Sequence, residues 1–407
     1  MKILMINVTC GTGSTGRICT DLAEVLSEKG HEVKIAFGRD EVPEKFKKYA
    51  VRIGSDLDVN IHALKARLFD SAGFESKKVT KEFIKWVKDY DPDIIHLHNI
   101  HGYYINVEIL FNYLKTCNKR IIWTFHDSWA FTGHTPYCDV INCEKWKDGC
   151  HNCTLKKEYP KTYLDYSKRN WKIKKELFTN VKCMQIVTPS NWLQGLVKES
   201  FLKEYDVSVI NNGINTKAFY PRKSHILKDY GIKDKFIVLG VSSVWDHMKG
   251  LDDYLELSHL LSDDCKLVLV GLTQEQVDNL PSNILGITRT ESIDQLAMIY
   301  SESDVFVNLS YCENYPTVNI EALACGTPVL TYETGGSPEI VRKYGGAVVE
   351  KKNILAVKNK IDEMMKTNTS IAFVPEENDV DHMIKKYLKI YEMINEVESK
   401  VYEKLDE

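Results

Sequence analysis

Residues 310–341 read SYCENYPTVNIEALACGTPVLTYETGGSPEIV. Two glutamates, Glu313 and Glu321, stand eight residues apart. Between them the turn Asn314-Tyr315-Pro316-Thr317 opens into an expected helix over 317–325, which the corner Cys325-Gly326-Thr327-Pro328 ends. An apolar strand over 328–332 and a second glycine turn, Gly335-Gly336, follow. A helix N-terminus offers unsatisfied N–H groups and partial positive charge, which suit a phosphate. Carboxylates on the loop and the first helical turns suit sugar hydroxyls. One compact segment therefore carries the groups that both ends of a nucleotide-sugar need.

The same alternation of short apolar strands with amphipathic helices runs through nearly the whole chain, the pattern of parallel α/β sheets. The N-terminal part predicts strands at 2–8, 32–37, 93–98, 120–125 and 184–188, helices at 15–29, 106–116 and 163–179, and a mostly helical stretch over 57–90. The C-terminal part restarts with strand 236–241. It continues with helices at 250–262, 292–302 and 353–367, strands at 266–271, 284–287 and 304–309, and a polar helix over 378–404. Turn signals in Asn211-Asn212-Gly213-Ile214-Asn215, ahead of Phe219-Tyr220-Pro221, set a domain boundary near 205–220. The expected division is 1–210, bearing a cysteine-rich insertion at 134–155, then 211–377, then a terminal helix in 378–407 that crosses back to the first domain.

Composition narrows the function classes. A length of 407 residues suits two domains. Apolar residues make up 43% and charged residues 27%, the balance of a soluble globular protein. A net charge of −4 gives no basic field for nucleic acid. No apolar run approaches the roughly 18–20 residues that span a bilayer. Met1–Val8 is too short for a signal peptide and reads as the first buried strand. A cytoplasmic protein is expected.

The Glu313–Glu321 spacing resembles the E-x7-E signature of retaining nucleotide-sugar glycosyltransferases of the GT-B fold, family 4 (glycosyltransferase group 1). Asn212-Gly213-Ile214-Asn215 with Phe219 and Pro221 resembles the segment that joins the two domains in that family, so the likeness covers nearly the whole chain. It implies two Rossmann-like domains facing a central cleft, an N-terminal acceptor side and a C-terminal donor side. It implies sugar transfer with retention from a UDP- or GDP-linked donor, without a catalytic divalent metal. By analogy the acceptor is a glycan or a polyprenyl-diphosphate-linked oligosaccharide of a bacterial surface polysaccharide, which brings peripheral contact with the inner face of the cytoplasmic membrane. Lys65, Arg67, Lys77, Lys78 and Lys81, with Leu64, Leu68 and Phe69, would form such a face, or ordinary solvated helices. Two other classes stay open: an NAD-dependent oxidoreductase and a noncatalytic nucleotide-sugar binding protein. Both glutamates are present, which counts against the latter.

Gly11-Thr12-Gly13-Ser14-Thr15-Gly16 fits G-x-G-x-x-G between a strand and a helix. An NAD site wants a carboxylate at the tip of the second strand, yet that strand ends in Gly38-Arg39, with Asp40 nearby. A structural turn is one reading. In the transferase reading, Gly13 and Gly16 let the backbone approach the donor phosphate. His98, Asn99 and His101 fall beyond the strand 93–98, the edge at which ligands bind open α/β sheets. His126 and Asp127 end the next strand, and the family resemblance gives His126 a contact with the donor sugar near the reacting centre.

Cys138-x4-Cys143-x6-Cys150-x2-Cys153 puts four thiols within sixteen residues, a spacing suited to a tetrahedral structural Zn²⁺, with His134 and His151 as substitutes. Free thiols and a disulfide are the alternatives. The preceding Trp-Thr-x-His-Asp-x-Trp-x-Phe-Thr-Gly-His run, residues 123–134, resembles the colanic-acid-type branch of the family.

On the donor side, Lys249-Gly250 follows the first C-terminal strand. The family pattern places an Arg five residues earlier, where this chain has Val244, and Arg289 is the candidate substitute. The resemblance gives Lys249 the leaving diphosphate, Glu313 the donor-sugar hydroxyls and Glu321 the ribose. The backbone from Asn314 through Tyr315 and Pro316 to Thr317 would meet the phosphates.

Overall fold

The computed structural model describes residues 1–367 and 376–403. It contains two compact units: Met1–Ile210 with the described residues from Ile384 onward, and the described residues of Asn211–Met383.

The first unit comprises β1 (Lys2–Ile6), α1 (Gly13–Glu28), β2 (Glu32–Phe37), β3 (Ala50–Arg52), α2 (Asp56–Phe69), α3 (Lys77–Tyr90), β4 (Ile94–Leu97), α4 (Val107–Leu114), β5 (Arg120–Thr124), α5 (Ser167–Phe178), β6 (Met184–Thr188), α6 (Asn191–Glu199) and β7 (Val207–Val209). Its seven strands are parallel, in the order β3-β2-β1-β4-β5-β6-β7. Both faces of such a sheet are covered, which is why its central strands are continuous apolar runs. Ile3, Leu4 and Met5 of β1 are buried accordingly.

The second unit comprises α7 (Ile226–Asp229), β8 (Phe236–Val241), α8 (Leu251–Leu260), β9 (Cys265–Val270), α9 (Gln274–Asp278), β10 (Ile284–Ile287), α10 (Ile293–Ser301), β11 (Val305–Asn308), α11 (Thr317–Ala324), β12 (Val329–Tyr332), α12 (Ser337–Tyr344), β13 (Gly346–Val349) and α13 (Ile354–Thr367). Its six parallel strands run β10-β9-β8-β11-β12-β13. Two apolar clusters form its core, one containing Leu239, Phe306 and Ile320, the other Val238, Val307 and Leu330. Neighbouring residues of one strand fall in different clusters, as the two-residue side-chain period of a strand requires.

The last helix, α14 (Val380–Glu403), starts in the second unit, where the Val380 N–H donates to the Ile214 carbonyl at 2.8 Å. From Ile384 it belongs to the first unit. There Tyr391 Oη lies 2.6 Å from His96 Nδ1, and Tyr387 Oη lies 3.1 Å from Thr124 Oγ1.

The stretch expected to be mostly helical over 57–90 is two helices. Asp70 takes a left-handed conformation (φ 48°) that ends α2, and α3 begins only at Lys77. Lys77, Lys78 and Lys81 therefore stand on a different helix from Lys65 and Arg67, and Lys65 is paired with Glu75 at 3.2 Å. Leu64, Leu68 and Phe69 are exposed on α2, as are Leu57 and Ile61. Strands β3, β7 and β13 and helices α6, α7, α9 and α12 add to the elements read from sequence.

Candidate active site

In each unit the strand order reverses beside the strand nearest the start: between β1 and β4 in the first, between β8 and β11 in the second. Ligands of open α/β sheets bind at that switch point, beyond the carboxyl ends of the strands. Most of the histidine, lysine and glutamate candidates lie on the loops after β1, β4, β5, β8 and β11, at or beside these two places.

In the first unit, Gly11 (φ 79°) and Gly13 (φ 64°) take conformations that favour glycine. A Cβ on Gly16 would fall 2.5 Å from Thr9 Oγ1, so this glycine lets the turn pack tightly. The Gly11 N–H closes the loop on the Gly16 carbonyl at 3.1 Å. Asn7, buried at the end of β1, ties this loop to β4. Its Nδ2 donates to the Thr9 carbonyl at 2.8 Å, and its Oδ1 accepts from the Asn99 N–H at 3.2 Å. Asn7 escaped the sequence reading, because a lone Asn at a strand end has no motif around it.

His98 and His126 meet at the ends of β4 and β5, with His98 Nδ1 3.1 Å from His126 Nε2. Burial depresses both basicities, that of His126 to about 4, so both rings are neutral. Beside them His101 Nε2 lies 2.9 Å from Asp127 Oδ2, and His101 Nδ1 lies 3.2 Å from the Tyr159 hydroxyl. Burial opposes charge on Asp127, but His101 and the Trp129 N–H (2.8 Å) outweigh it and hold the carboxyl below its ordinary range. Asn99, His98, His101, His126 and Asp127 thus line one small recess.

In the second unit, Asp246 caps a short turn over His247–Lys249 by accepting from the Lys249 N–H at 3.0 Å. Gly250 follows with φ 72°, and a Cβ there would come within 2.3 Å of the Leu309 carbonyl oxygen. This close approach brings the turn onto the loop after β11. Lys249 Nζ reaches Glu313 Oε1 at 2.6 Å. Burial disfavours the ammonium charge, but the Glu313 carboxylate more than offsets it, so the Lys249 pKa is raised.

Asn314, Tyr315 and Pro316 lead into α11, which starts at Thr317 with Pro316 as its N-cap residue. The loop is anchored at Tyr315, whose carbonyl accepts from Asn212 Nδ2 at 3.0 Å and whose hydroxyl donates to Asn378 Oδ1 at 3.2 Å. Glu321, on the second turn, is buried, and its Oε2 accepts from the Tyr300 hydroxyl at 3.3 Å.

A buried chain of side chains fixes these elements to one another. Asn308 Nδ2 donates to Asn319 Oδ1, Asn319 Nδ2 donates to Ser337 Oγ, both at 2.8 Å, and Ser337 Oγ lies 2.7 Å from Thr331 Oγ1. It links β11, α11, β12 and the start of α12, and no motif in the sequence points to it. Arg289 is exposed beyond β10, two strand spacings from β8, or roughly 10 Å. Val244 is exposed where the family pattern has Arg.

The four clustered cysteines form no disulfide and line one small pocket with His134 and His151. The Gly133 N–H donates to Cys150 Sγ at 3.1 Å, and His134 Nδ1 lies 2.6 Å from the buried Asp70 carboxylate. Among the described residues, no group of three or more His, Cys, Asp or Glu side chains has the arrangement of a metal site. The expected zinc therefore has a thiol-lined pocket here, without formed ligand geometry.

Two doubly wound parallel domains, each with polar side chains at its switch point, make up the architecture of the GT-B class. Residues 15–218 match the family model described as Glycosyltransferase Family 4, and residues 223–386 match that described as Glycosyl transferases group 1. The chain belongs to glycosyltransferase family 4. An Escherichia coli protein named as a colanic acid biosynthesis glycosyl transferase is 23% identical over 372 residues, 87% of this chain and 89% of that one. A Campylobacter jejuni N,N'-diacetylbacillosaminyl-diphospho-undecaprenol alpha-1,3-N-acetylgalactosaminyltransferase is 28% identical over 211 residues, 47% of this chain and 56% of its own. Among solved structures, sucrose-phosphate synthase from Thermosynechococcus elongatus superposes with a TM-score of 0.68 at 18% identity, covering 99% of this chain and 98% of that one. The Anabaena HepE protein in complex with UDP gives 0.67 at 15% identity, covering 96% and 99%.

Proposed function

We propose that this glycosyltransferase moves a sugar, with retention, from a UDP- or GDP-linked donor to a lipid-linked glycan of a bacterial surface polysaccharide. The observation that carries the reading is the meeting of Lys249, Glu313 and the start of α11 at the switch point of the second unit. Breaking the sugar–phosphate bond adds negative charge to the departing diphosphate. Lys249 and the first N–H groups of α11 stabilise it, and because packing already holds them in place, little reorganisation is needed. Glu313 releases part of its hold on Lys249 to the diphosphate and accepts from donor-sugar hydroxyls. Glu321 accepts from the ribose. In the first unit, His126 contacts the donor sugar, and the His101–Asp127 pair with Asn99 serves the acceptor. Gly13 and Gly16 let the backbone approach the donor phosphate.

UDP bound to the Anabaena neighbour and the undecaprenol-linked substrate in the Campylobacter relative's name support this donor and acceptor class. The exposed apolar stripe Leu57, Ile61, Leu64 and Leu68 on α2 supports peripheral membrane contact. Zinc in the cysteine pocket is the structural part of the proposal: about one zinc per purified chain, and a loosened 134–155 segment once it is stripped, where a metal-free and fully active preparation would refute it.

The test of the reaction is turnover of a panel of UDP- and GDP-sugars with a polyprenyl-diphosphate-linked acceptor, in the presence of EDTA. One donor should be consumed, with the anomeric configuration of the product matching that of the donor. Tight donor binding with no turnover of any pair would make the chain a binding protein instead.

A further inference from the structure

We infer that His98 is a positioning residue that fixes His126 as the tautomer with its proton on Nδ1. The inference rests on the proposed role of His126 at the donor sugar.

The two rings meet edge to edge. Their nearest nitrogens are 3.1 Å apart, their centroids 5.4 Å, and their planes differ by only 14°. The difference between the two distances is about two ring radii, so the rings lie side by side in nearly one plane. An N–H of one then points along the lone pair of the other. With both rings neutral, one nitrogen of the pair must donate and the other accept.

The far side of His98 decides which. His98 is buried, and among the described residues its Nε2 has no hydrogen-bond partner. His96, whose ring centroid is 4.0 Å away, offers none, because its nitrogens face Tyr391 Oη and Thr124 Oγ1. Had His98 its proton on Nε2, that N–H would be a buried donor without an acceptor, the rarest kind of orphan in folded proteins. With the proton on Nδ1, His98 donates to His126 Nε2 and leaves only a bare nitrogen unpaired. His126 Nε2 then accepts, and the proton of His126 is on Nδ1. The ring is thereby set to give a hydrogen bond through Nδ1, and not to take a proton there. His126 would hold the donor sugar as a donor, leaving the base to another group.

The experiment is long-range ¹H–¹⁵N NMR of the full chain labelled with ¹⁵N-histidine, with the His126 signals identified by their loss in His126→Gln. The wild-type protein should show His126 protonated at Nδ1 and bare at Nε2. His98→Asn, which keeps an N–H near the place of Nδ1, should preserve that pattern and keep kcat within a small factor. His98→Asp presents an acceptor there. It should move the His126 proton to Nε2 and lower kcat about tenfold or more. A wild-type His126 protonated at Nε2 would overturn the inference, as would a pattern unchanged in folded His98→Asp. Absence of turnover with every donor, alongside the expected NMR pattern, would instead refute the transferase reading.

Discussion

Lys249 and Glu313 were legible as residue types before they were seen as a pair. A Lys-Gly at a strand end and a glutamate before a helix each point to anion or hydroxyl chemistry. Their 2.6 Å contact says more: Glu313 holds the Lys249 ammonium in place. Lys249 is partly exposed and Glu313 is largely buried, so it is the glutamine amide of Lys249→Gln, still able to donate to Glu313, that keeps the loss of stability small. Lys249→Gln should therefore unfold in urea within about 1 kcal/mol of wild type, while kcat falls about a hundredfold. An unchanged kcat in steady-state assay would remove Lys249 from the leaving-group clamp. What stayed hidden at this scale was the support. Asn7, Asn308, Asn319 and Ser337 each form buried hydrogen bonds that orient the site, yet a single short polar residue leaves no periodic trace in sequence. Arg289 stands beyond β10, two strands from β8, a neighbourhood that sequence proximity to a strand end does not report.

Among the elements, the longer strands of both halves are legible, since each is a buried apolar run bounded by turn residues. The stretch 57–90 reads as mostly helix because both α2 and α3 are helical and the break over 70–76, bounded by the left-handed Asp70 and Ser76, is short. Strands β3, β7 and β13 were missed because three or four residues carry too little pattern. Gly250 links the Lys249 turn to α8, and neither its φ of 72° nor its approach to the Leu309 carbonyl tolerates a side chain. Gly250→Ala should cost about 1–3 kcal/mol in chemical denaturation and weaken donor binding more than a distant surface substitution of equal stability cost. Donor affinity untouched by this change would show that the turn does not bear on the site.

At the scale of the molecule, two sheets of the same doubly wound order each place candidate site side chains at a switch point, and α14 closes the first unit with two buried tyrosines. That unit encloses His96, His98 and His126 as neutral rings, the first depressed by burial to about 3 and the last to about 4. An unfolded histidine titrates near 6.5, so below that pH the unfolded chain binds protons that the folded chain refuses. Stability contributed by neutrality is thus complete above about pH 6.5 and declines as pH falls toward 4, by up to roughly 1.4 kcal/mol per pH unit for each ring. Urea unfolding at pH 7 and pH 5 should show this loss, and His96→Gln should reduce it; equal slopes in variant and wild type would assign the acid sensitivity elsewhere.

The central claim is that the second unit binds a nucleotide-sugar through the Glu313–Glu321 segment. Calorimetric titration with UDP, GDP and NAD(H), of wild type and Glu321→Ala, tests it most directly. One nucleoside diphosphate should bind, and the substitution should weaken it about ten- to a hundredfold, the worth of a charge-assisted hydrogen bond. Binding of NAD(H) alone, unaffected by Glu321→Ala, would contradict the account.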